Sequence, residues 1–141
     1  MSVKDRIVKI LLIEDNKDHQ MEVRRVLDQQ RILYQMWNAG SVEAAMSFLE
    51  NENNDDFVSL DIVLLDIDMQ KSNCTEFLTQ FLKNRKWSRI KIFVLSDSER
   101  ERQNMAKIGV SGYIIKPLRL RSPSRDTISL LVDLMNICER P

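Results

Sequence analysis

Short apolar runs alternate with longer stretches of helical periodicity along most of the chain. A strand that is buried on both faces reads as a nearly continuous apolar run that stops where polar residues begin. Five such runs predict strands at residues 7–13, 33–37, 61–66, 90–95 and 113–115. Strands that alternate with helices form parallel βαβ units, so the pattern predicts an α/β fold in which helices cover both faces of a doubly wound five-stranded parallel sheet.

Residues suited to cap a helix precede four of the helical stretches. They are Asn16, Ser41, Ser72 or Asn73, and Ser122 followed by Pro123. A short polar side chain at this position accepts hydrogen bonds from the free backbone N–H groups of the first turn. The charged segment 98–107 predicts a further helix, exposed to solvent.

Apolar residues at helical spacing predict which side of each helix faces the sheet. The first helix is expected to bury Met21, Val23, Val26 and Leu27. The third is expected to bury Phe77, Leu78, Phe81 and Leu82. The last is expected to bury Ile128, Leu131, Val132, Leu134 and Met135.

Length and charge narrow the class of protein. The 141 residues are close to the commonest size of one domain, so we expect a single domain over residues 1–141 with its core at about 7–138. The 21 basic and 21 acidic side chains cancel, which predicts no direct binding to nucleic acid or to an anionic membrane. The N-terminal apolar run contains Lys9 and is too short and too charged for a signal peptide or membrane span, so we expect a cytoplasmic protein.

Cysteine and histidine are too scarce for a zinc site. Cys74 and Cys138 lie far apart without a neighbouring ligand, and His19 is the single histidine. Two isolated cysteines fit a reducing compartment. We expect His19 on an exposed helix face, without a role as phosphodonor.

Polar and charged residues stand at the ends of four predicted strands. These are Glu14 and Asp15, Asp66, Ser96, and Lys116. The carboxyl ends of parallel strands meet at one edge of the sheet, where such folds bind their ligands. Taken singly, each has a plainer role: Asp66 or Ser96 can cap a helix, and Lys116 can be an exposed lysine. Their order along the chain favours a common site.

A phosphoryl-transfer site would need this set of groups. Three carboxylates repel one another, and a hard cation with oxygen ligands relieves the repulsion; Mg²⁺ needs few protein carboxylates. A lysine and a hydroxyl neutralise or hydrogen-bond the oxygens of a transferred phosphoryl group. Asp66 can then act as a nucleophile that forms an acyl phosphate.

The segments ILLIEDN, DIVLLDIDM, IFVLSDSE and GYIIKP, in this order and spacing, resemble the receiver domains of response regulators in two-component systems. The resemblance runs from residue 7 to about residue 138. It implies a flavodoxin-like sheet with strand order 2-1-3-4-5. VLSDSE also resembles single-domain regulators encoded beside phytochrome-like photoreceptor kinases.

The resemblance also implies a role for each residue. Asp66 is then the phosphoacceptor, and Lys116 is the lysine that the family keeps at this position. Ser96 and Tyr113 are the residues that change conformation when Asp66 is phosphorylated. The Mg²⁺ ligands are then Asp15, Asp66 and the main-chain carbonyl of Asp68, with Glu14 reaching the ion through water. Lys116-Pro117 matches a family pair whose peptide bond is often cis.

The implied function is signalling, in which the domain catalyses only its own phosphorylation and dephosphorylation. The phosphodonor is a histidine kinase or phosphotransfer protein. The output surface consists of the fourth helix, fifth strand and fifth helix. It acts on a separate downstream effector protein, and phosphorylation can also join two copies of the domain in a homodimer.

Several residues depart from the family pattern and keep two alternatives open. Gln70 replaces the usual proline, Asp68 adds a carboxylate, and Asp97 stands beside the switch hydroxyl where a small residue is common. One alternative is a receiver-like interaction protein that is no longer phosphorylated. The other is a small phosphatase of the haloacid dehalogenase type that uses Asp66 and Asp68 as its DxD motif.

Overall fold

One parallel sheet forms the centre of the molecule. The computed structural model describes residues 7–30, 32–51, 60–69, 73–118 and 125–139. The strands are β1 (Val8–Ile13), β2 (Tyr34–Ala39), β3 (Ile62–Asp66), β4 (Lys91–Ser96) and β5 (Gly112–Ile115). The strand order is β2-β1-β3-β4-β5, as the family resemblance implied. The predicted doubly wound five-stranded α/β fold is confirmed.

In the described residues, five helices connect and follow the strands. They are α1 (Lys17–Asp28), α2 (Val42–Glu50), α3 (Cys74–Lys83), α4 (Arg102–Ile108) and α5 (Arg125–Glu139), with a short 3-10 helix at Arg85–Trp87. Asn16, Ser41 and Asn73 cap α1, α2 and α3 through their side-chain oxygens, as predicted. The residues proposed to begin the last helix, Ser122 and Pro123, lie outside the described residues, as does Gln70.

Apolar cores on both faces hold the inner strands in place. On one face, the rings of Phe81 and Trp87 stack at a centroid distance of 5.4 Å within a cluster that includes Phe77. On the other face, residues of α1 and α5 pack against β1, β3 and β4. All five residues of β3 are buried. The ends of the inner strands, where the predicted site lies, are therefore fixed by packing on both sides.

The predicted apolar face of α5 was largely wrong. Ile128, Val132 and Met135 are 47%, 50% and 46% exposed. Leu131 is partly buried, and Leu134 is buried as predicted. The residues of α5 that pack inward are Thr127, Leu130, Leu134 and Ile137. Two apolar stripes run along this helix, and residue type alone did not distinguish the inner one. Met21 and Leu82, at 67% and 38% exposed, were also wrongly assigned to the core.

The fourth helix is shorter than predicted, because it begins at Arg102 instead of residue 98. Its N-cap, Glu101, makes no side-chain capping hydrogen bond, and the preceding residues form bends and a turn. At the other end, Gly109 adopts a φ of 109°, a left-handed conformation that terminates helices and that residues with a Cβ disfavour. None of the helices in the described part of the chain has the length and apolar character needed to cross a bilayer.

Candidate functional site

The carboxyl ends of β1, β3, β4 and β5 bring the predicted site residues to one edge of the sheet. Asp66 ends β3 and Ser96 ends β4, while Glu14 and Lys116 directly follow β1 and β5. The strands are paired in parallel, so these four positions lie side by side. A cavity of about 380 Å³ opens here, lined by residues that include Asp15, His19, Asp66, Asp68, Asp97 and Lys116.

Lys116 and Asp66 form an ion pair at the base of this cavity. The Lys116 Nζ lies 3.2 Å from the Asp66 Oδ1, and the two side chains are 9% and 3% exposed. Burial acts to lower the pKa of Lys116, but the carboxylates of Asp66 and Asp68 outweigh burial and raise it above its usual value. The lysine is therefore a permanent positive charge beside the proposed phosphoacceptor. The peptide bond from Lys116 to Pro117 is cis.

Glu14 is a carboxylate held away from water. It is 1% exposed, and burial together with the neighbouring Asp66 raises its pKa to about 8. The backbone N–H of Asn16 donates to its Oε2 at 3.3 Å, which lowers the pKa only in part. In the absence of a cation, this site therefore favours a proton on Glu14 at neutral pH.

His19 lies beside the site residues, a contact that its predicted place on an exposed helix face did not indicate. Its side chain is 40% exposed, but the Nδ1 lies 3.1 Å from the Glu14 Oε1 and 3.9 Å from the Asp66 Oδ2. Asn16 caps α1 and fixes this first turn by accepting from the His19 N–H at 3.1 Å. Its position in the sequence could have indicated this contact. A residue in the first helical turn after an acidic strand end lies beside the edge of the sheet where that strand ends.

Asp68 contributes its carboxylate to the site, whereas the sequence predicted a role for its main-chain carbonyl alone. The Ser96 hydroxyl donates to its Oδ1 at 3.0 Å, and the Asp97 N–H donates to its Oδ2 at 2.7 Å. The Lys116 Nζ is 3.2 Å from the same Oδ2. Burial acts to raise the pKa of Asp68, but these donors outweigh it and lower the pKa. Asp68 is thus held as a carboxylate in the cavity.

Tyr113 connects the end of β4 with α4. It is 3% exposed, and its hydroxyl donates to the Ser98 carbonyl at 2.6 Å. The Ser98 N–H in turn donates to the Ser96 hydroxyl oxygen at 3.3 Å. The guanidinium carbon of Arg102, the first residue of α4, lies 5.0 Å from the centre of the tyrosine ring, a cation-π contact. A change at Ser96 can therefore reach α4 through a short chain of contacts.

Three donor groups in and beside the cavity are suited to a divalent cation. Ligand atoms of Glu14, His19 and Asp66 lie within 4.8 Å of one another. Asp15 is exposed and lines the same cavity. Carboxylate oxygens suit Mg²⁺, and they repel one another unless a cation or a proton intervenes. The residues predicted to hold Mg²⁺ are therefore of the right chemistry, and the imidazole of His19 lies beside them.

The chain is similar to curated proteins that are named as a response regulator or as response regulator-like. It is 27% identical to the two-component response regulator-like protein PRR1 of Oryza sativa subsp. japonica over 80% of this chain and 21% of that protein. It is 29% identical to the response regulator Rcp1 of Synechocystis sp. over 79% of this chain and 78% of that protein. The chain thus spans about a fifth of the rice protein and most of Rcp1.

Solved structures agree with this relationship. A two-component response regulator from Legionella pneumophila is 27% identical with a TM-score of 0.76, over 92% of this chain and 98% of that one. The Mn²⁺-bound form of Rcp1 is 26% identical with a TM-score of 0.64, over 94% and 89% of the two chains. Residues 10–122 match the family model of the response regulator receiver domain. The chain therefore belongs to the response regulator receiver domain family.

Proposed function

We propose that this receiver domain accepts a phosphoryl group on Asp66 from a histidine kinase or a phosphotransfer protein. The observation that carries the proposal is the ion pair of Asp66 and Lys116 at the base of an open cavity, beside the Ser96 hydroxyl. A carboxylate oxygen of Asp66 attacks the phosphorus of a phosphohistidine. The P–N bond breaks, and the electron pair and a proton end on the imidazole.

The surrounding residues stabilise charge on the phosphoryl oxygens. Lys116 supplies a fixed positive charge, and Ser96 supplies a hydroxyl donor. Receiver domains bind Mg²⁺, and in this chain Asp15, Asp66 and the Asp68 carbonyl would hold the ion, with Glu14 acting through water. When bound, the cation neutralises charge on the phosphoryl group and between the carboxylates. Receiver domains are signalling proteins, and phosphorylation of Asp66 would convert the domain from an inactive to an active conformation.

The output follows the contacts from Ser96 to α4. Phosphorylation can shift the domain only by as much as the phosphoryl group favours the active arrangement, typically about 1 to 3 kcal/mol of coupling. The proposed output surface comprises α4, β5 and α5. On α5, the exposed apolar residues Ile128, Val132 and Met135 offer a contact area for a separate effector or a second copy of the domain. The proposed compartment is the cytoplasm.

Incubation with Mg²⁺ and acetyl phosphate tests the proposal. We expect intact mass measurement to show one phosphoryl group on the wild type. We expect none on the Asp66→Asn variant, which is nearly isosteric and lacks the nucleophilic carboxylate. A wild type that never acquires the adduct would favour the receiver-like interaction protein.

Continuous hydrolysis of a small phosphate ester, lost in Asp66→Asn, would instead favour the haloacid dehalogenase-type phosphatase. That alternative needs Asp68 to act as a general acid. Ser96, Asp97 and Lys116 hold Asp68 as a carboxylate, without the proton that an acid must give, which argues against it.

Replacing His19 with alanine is expected to weaken Mn²⁺ binding more than Mg²⁺ binding. An imidazole nitrogen is a good ligand for transition metals, whereas Mg²⁺ prefers oxygen. We expect the Mn²⁺ affinity, measured by electron paramagnetic resonance, to fall about tenfold, and the Mg²⁺ affinity by much less. Equal losses for both ions would contradict a role of His19 as a metal ligand and indicate an effect through Glu14 alone.

A further inference from the structure

We propose that the carboxylate of Asp68 occupies the place of a phosphoryl group in the unphosphorylated domain, and that it must leave before Asp66 can hold one. The inference rests on the proposed function, since it concerns the donors that would bind the phosphoryl oxygens. It makes Asp68 a positioning residue that sets both the resting arrangement of Ser96 and Tyr113 and the ease of phosphorylation.

Three separate donors converge on this one carboxylate. They are the Ser96 hydroxyl at 3.0 Å, the Asp97 N–H at 2.7 Å and the Lys116 ammonium at 3.2 Å. A hydroxyl, a backbone N–H and an ammonium are the kinds of donor that a phosphoryl group needs, and charge-assisted hydrogen bonds to them are strong. Lys116 also contacts the Asp66 Oδ1 at 3.2 Å, so a group on Asp66 would lie within reach of the same donors.

The neighbouring acid, Asp97, shows that proximity alone does not create this arrangement. Its carboxylate is 73% exposed and lies 3.7 Å from the Lys116 Nζ, beyond hydrogen-bond distance. The Asp68 side chain is only 32% exposed and accepts on both of its oxygens. Asp68 is also tied to the phosphoacceptor, because its N–H donates to the Asp66 Oδ1 at 2.8 Å.

The resting state of the switch follows from the bond between Asp68 and Ser96. The hydroxyl of Ser96 donates to Asp68 in the cavity, and its oxygen accepts from the Ser98 N–H. The Ser98 carbonyl accepts from Tyr113, whose side chain is buried. Asp68 thus holds the chain of contacts in an inward arrangement without any phosphoryl group.

Phosphorylation must then replace one anion with another. A phosphoryl group on Asp66 would compete with Asp68 for Ser96, the Asp97 N–H and Lys116, and the two negative groups would repel each other at short range. Displacement of Asp68 is therefore part of the reaction. Removing this carboxylate should free the donors for the incoming group and release the inward arrangement while the protein is unphosphorylated.

The first measurement uses the unphosphorylated protein labelled with fluorotyrosine. Tyr34 and Tyr113 are the two tyrosines, so the fluorine spectrum has two signals to assign. In Asp68→Ala we expect the Tyr113 signal to shift and to become more sensitive to a soluble paramagnetic quencher. Tyr34, whose hydroxyl donates to Asp28, serves as an internal reference and should not change.

The second measurement is titration with beryllofluoride, a phosphoryl analogue, in saturating Mg²⁺. We expect Asp68→Ala to bind it about tenfold more tightly than the wild type, since no internal carboxylate has to leave. Asp97→Ala removes an equal charge near the same lysine and is the matched control. Its carboxylate is exposed, so we expect a change of about twofold or less.

Weaker or unchanged beryllofluoride binding in Asp68→Ala would overturn the inference, as would an unchanged Tyr113 signal. Equal increases in beryllofluoride affinity in Asp68→Ala and Asp97→Ala would also overturn it. Such a result would mean that the loss of any negative charge near Lys116 has the same effect. If neither the wild type nor Asp68→Ala binds beryllofluoride, the proposed function itself fails. The fluorine spectrum then still decides whether Asp68 holds the switch inward.

Discussion

Replacement of Lys116 with methionine is expected to slow the phosphorylation of Asp66 by acetyl phosphate about a hundredfold or more. The Lys116 ammonium is nearly buried and lies 3.2 Å from the carboxylates of both Asp66 and Asp68. In the reaction, an oxygen of Asp66 bonds to phosphorus while the P–O bond to acetate breaks, and charge develops where Lys116 points. Methionine is unbranched and fills similar space, so the variant removes the charge with little loss of packing.

The rate is measured by intact mass at fixed acetyl phosphate and Mg²⁺ concentrations. Lys107→Met on α4 is the control, because it removes an equal charge from an exposed position. Thermal unfolding of both variants separates a slower reaction from a damaged fold. Phosphorylation of a folded Lys116→Met protein at the wild-type rate would show that the transferring group does not depend on this lysine.

The sheet and the positions of its edge residues were predictable because two simple signals agree. The inner strands are almost wholly apolar, and polar residues such as Asp66 and Ser96 mark their ends. Parallel topology then places these ends side by side, whatever the loops do. The elements of the fold therefore followed from the sequence with shifts of a few residues, as in β2, which runs to Ala39 instead of residue 37.

Features that depend on side-chain geometry were not predictable in this way. Residue type suggests that Asp68 is an added charge, but it does not show that both of its oxygens accept hydrogen bonds. His19 has the character of a surface residue, and only the rotation of α1 brings its Nδ1 to Glu14. On α5, the choice between two apolar stripes depended on tertiary packing, which spacing along the helix does not encode.

Substitution of Glu14 by glutamine is expected to stabilise the domain by about 3 kcal/mol near pH 7 when no divalent cation is present. The side chain is 1% exposed, and burial and Asp66 raise its pKa from 4.5 to about 8 in the folded state. The folded state therefore binds this proton more tightly than the unfolded state does. The stability that this provides is complete below pH 4.5 and is lost as the pH rises toward about 8. Glutamine cannot ionise and does not incur the loss.

The difference in unfolding free energy between Glu14→Gln and the wild type should therefore grow from near zero at pH 4.5 to its largest value at about pH 8, as followed by urea denaturation. Saturating Mg²⁺ should reduce this difference in unfolding free energy. The cation stabilises the charged Glu14 of the wild type, and it interacts less favourably with a neutral glutamine. Glu50→Gln, at an exposed position on α2, should show only a small and nearly constant difference. A Glu14→Gln difference that does not vary with pH would mean that folding leaves the pKa of Glu14 unchanged. No cation would then be needed to offset the repulsion between the carboxylates.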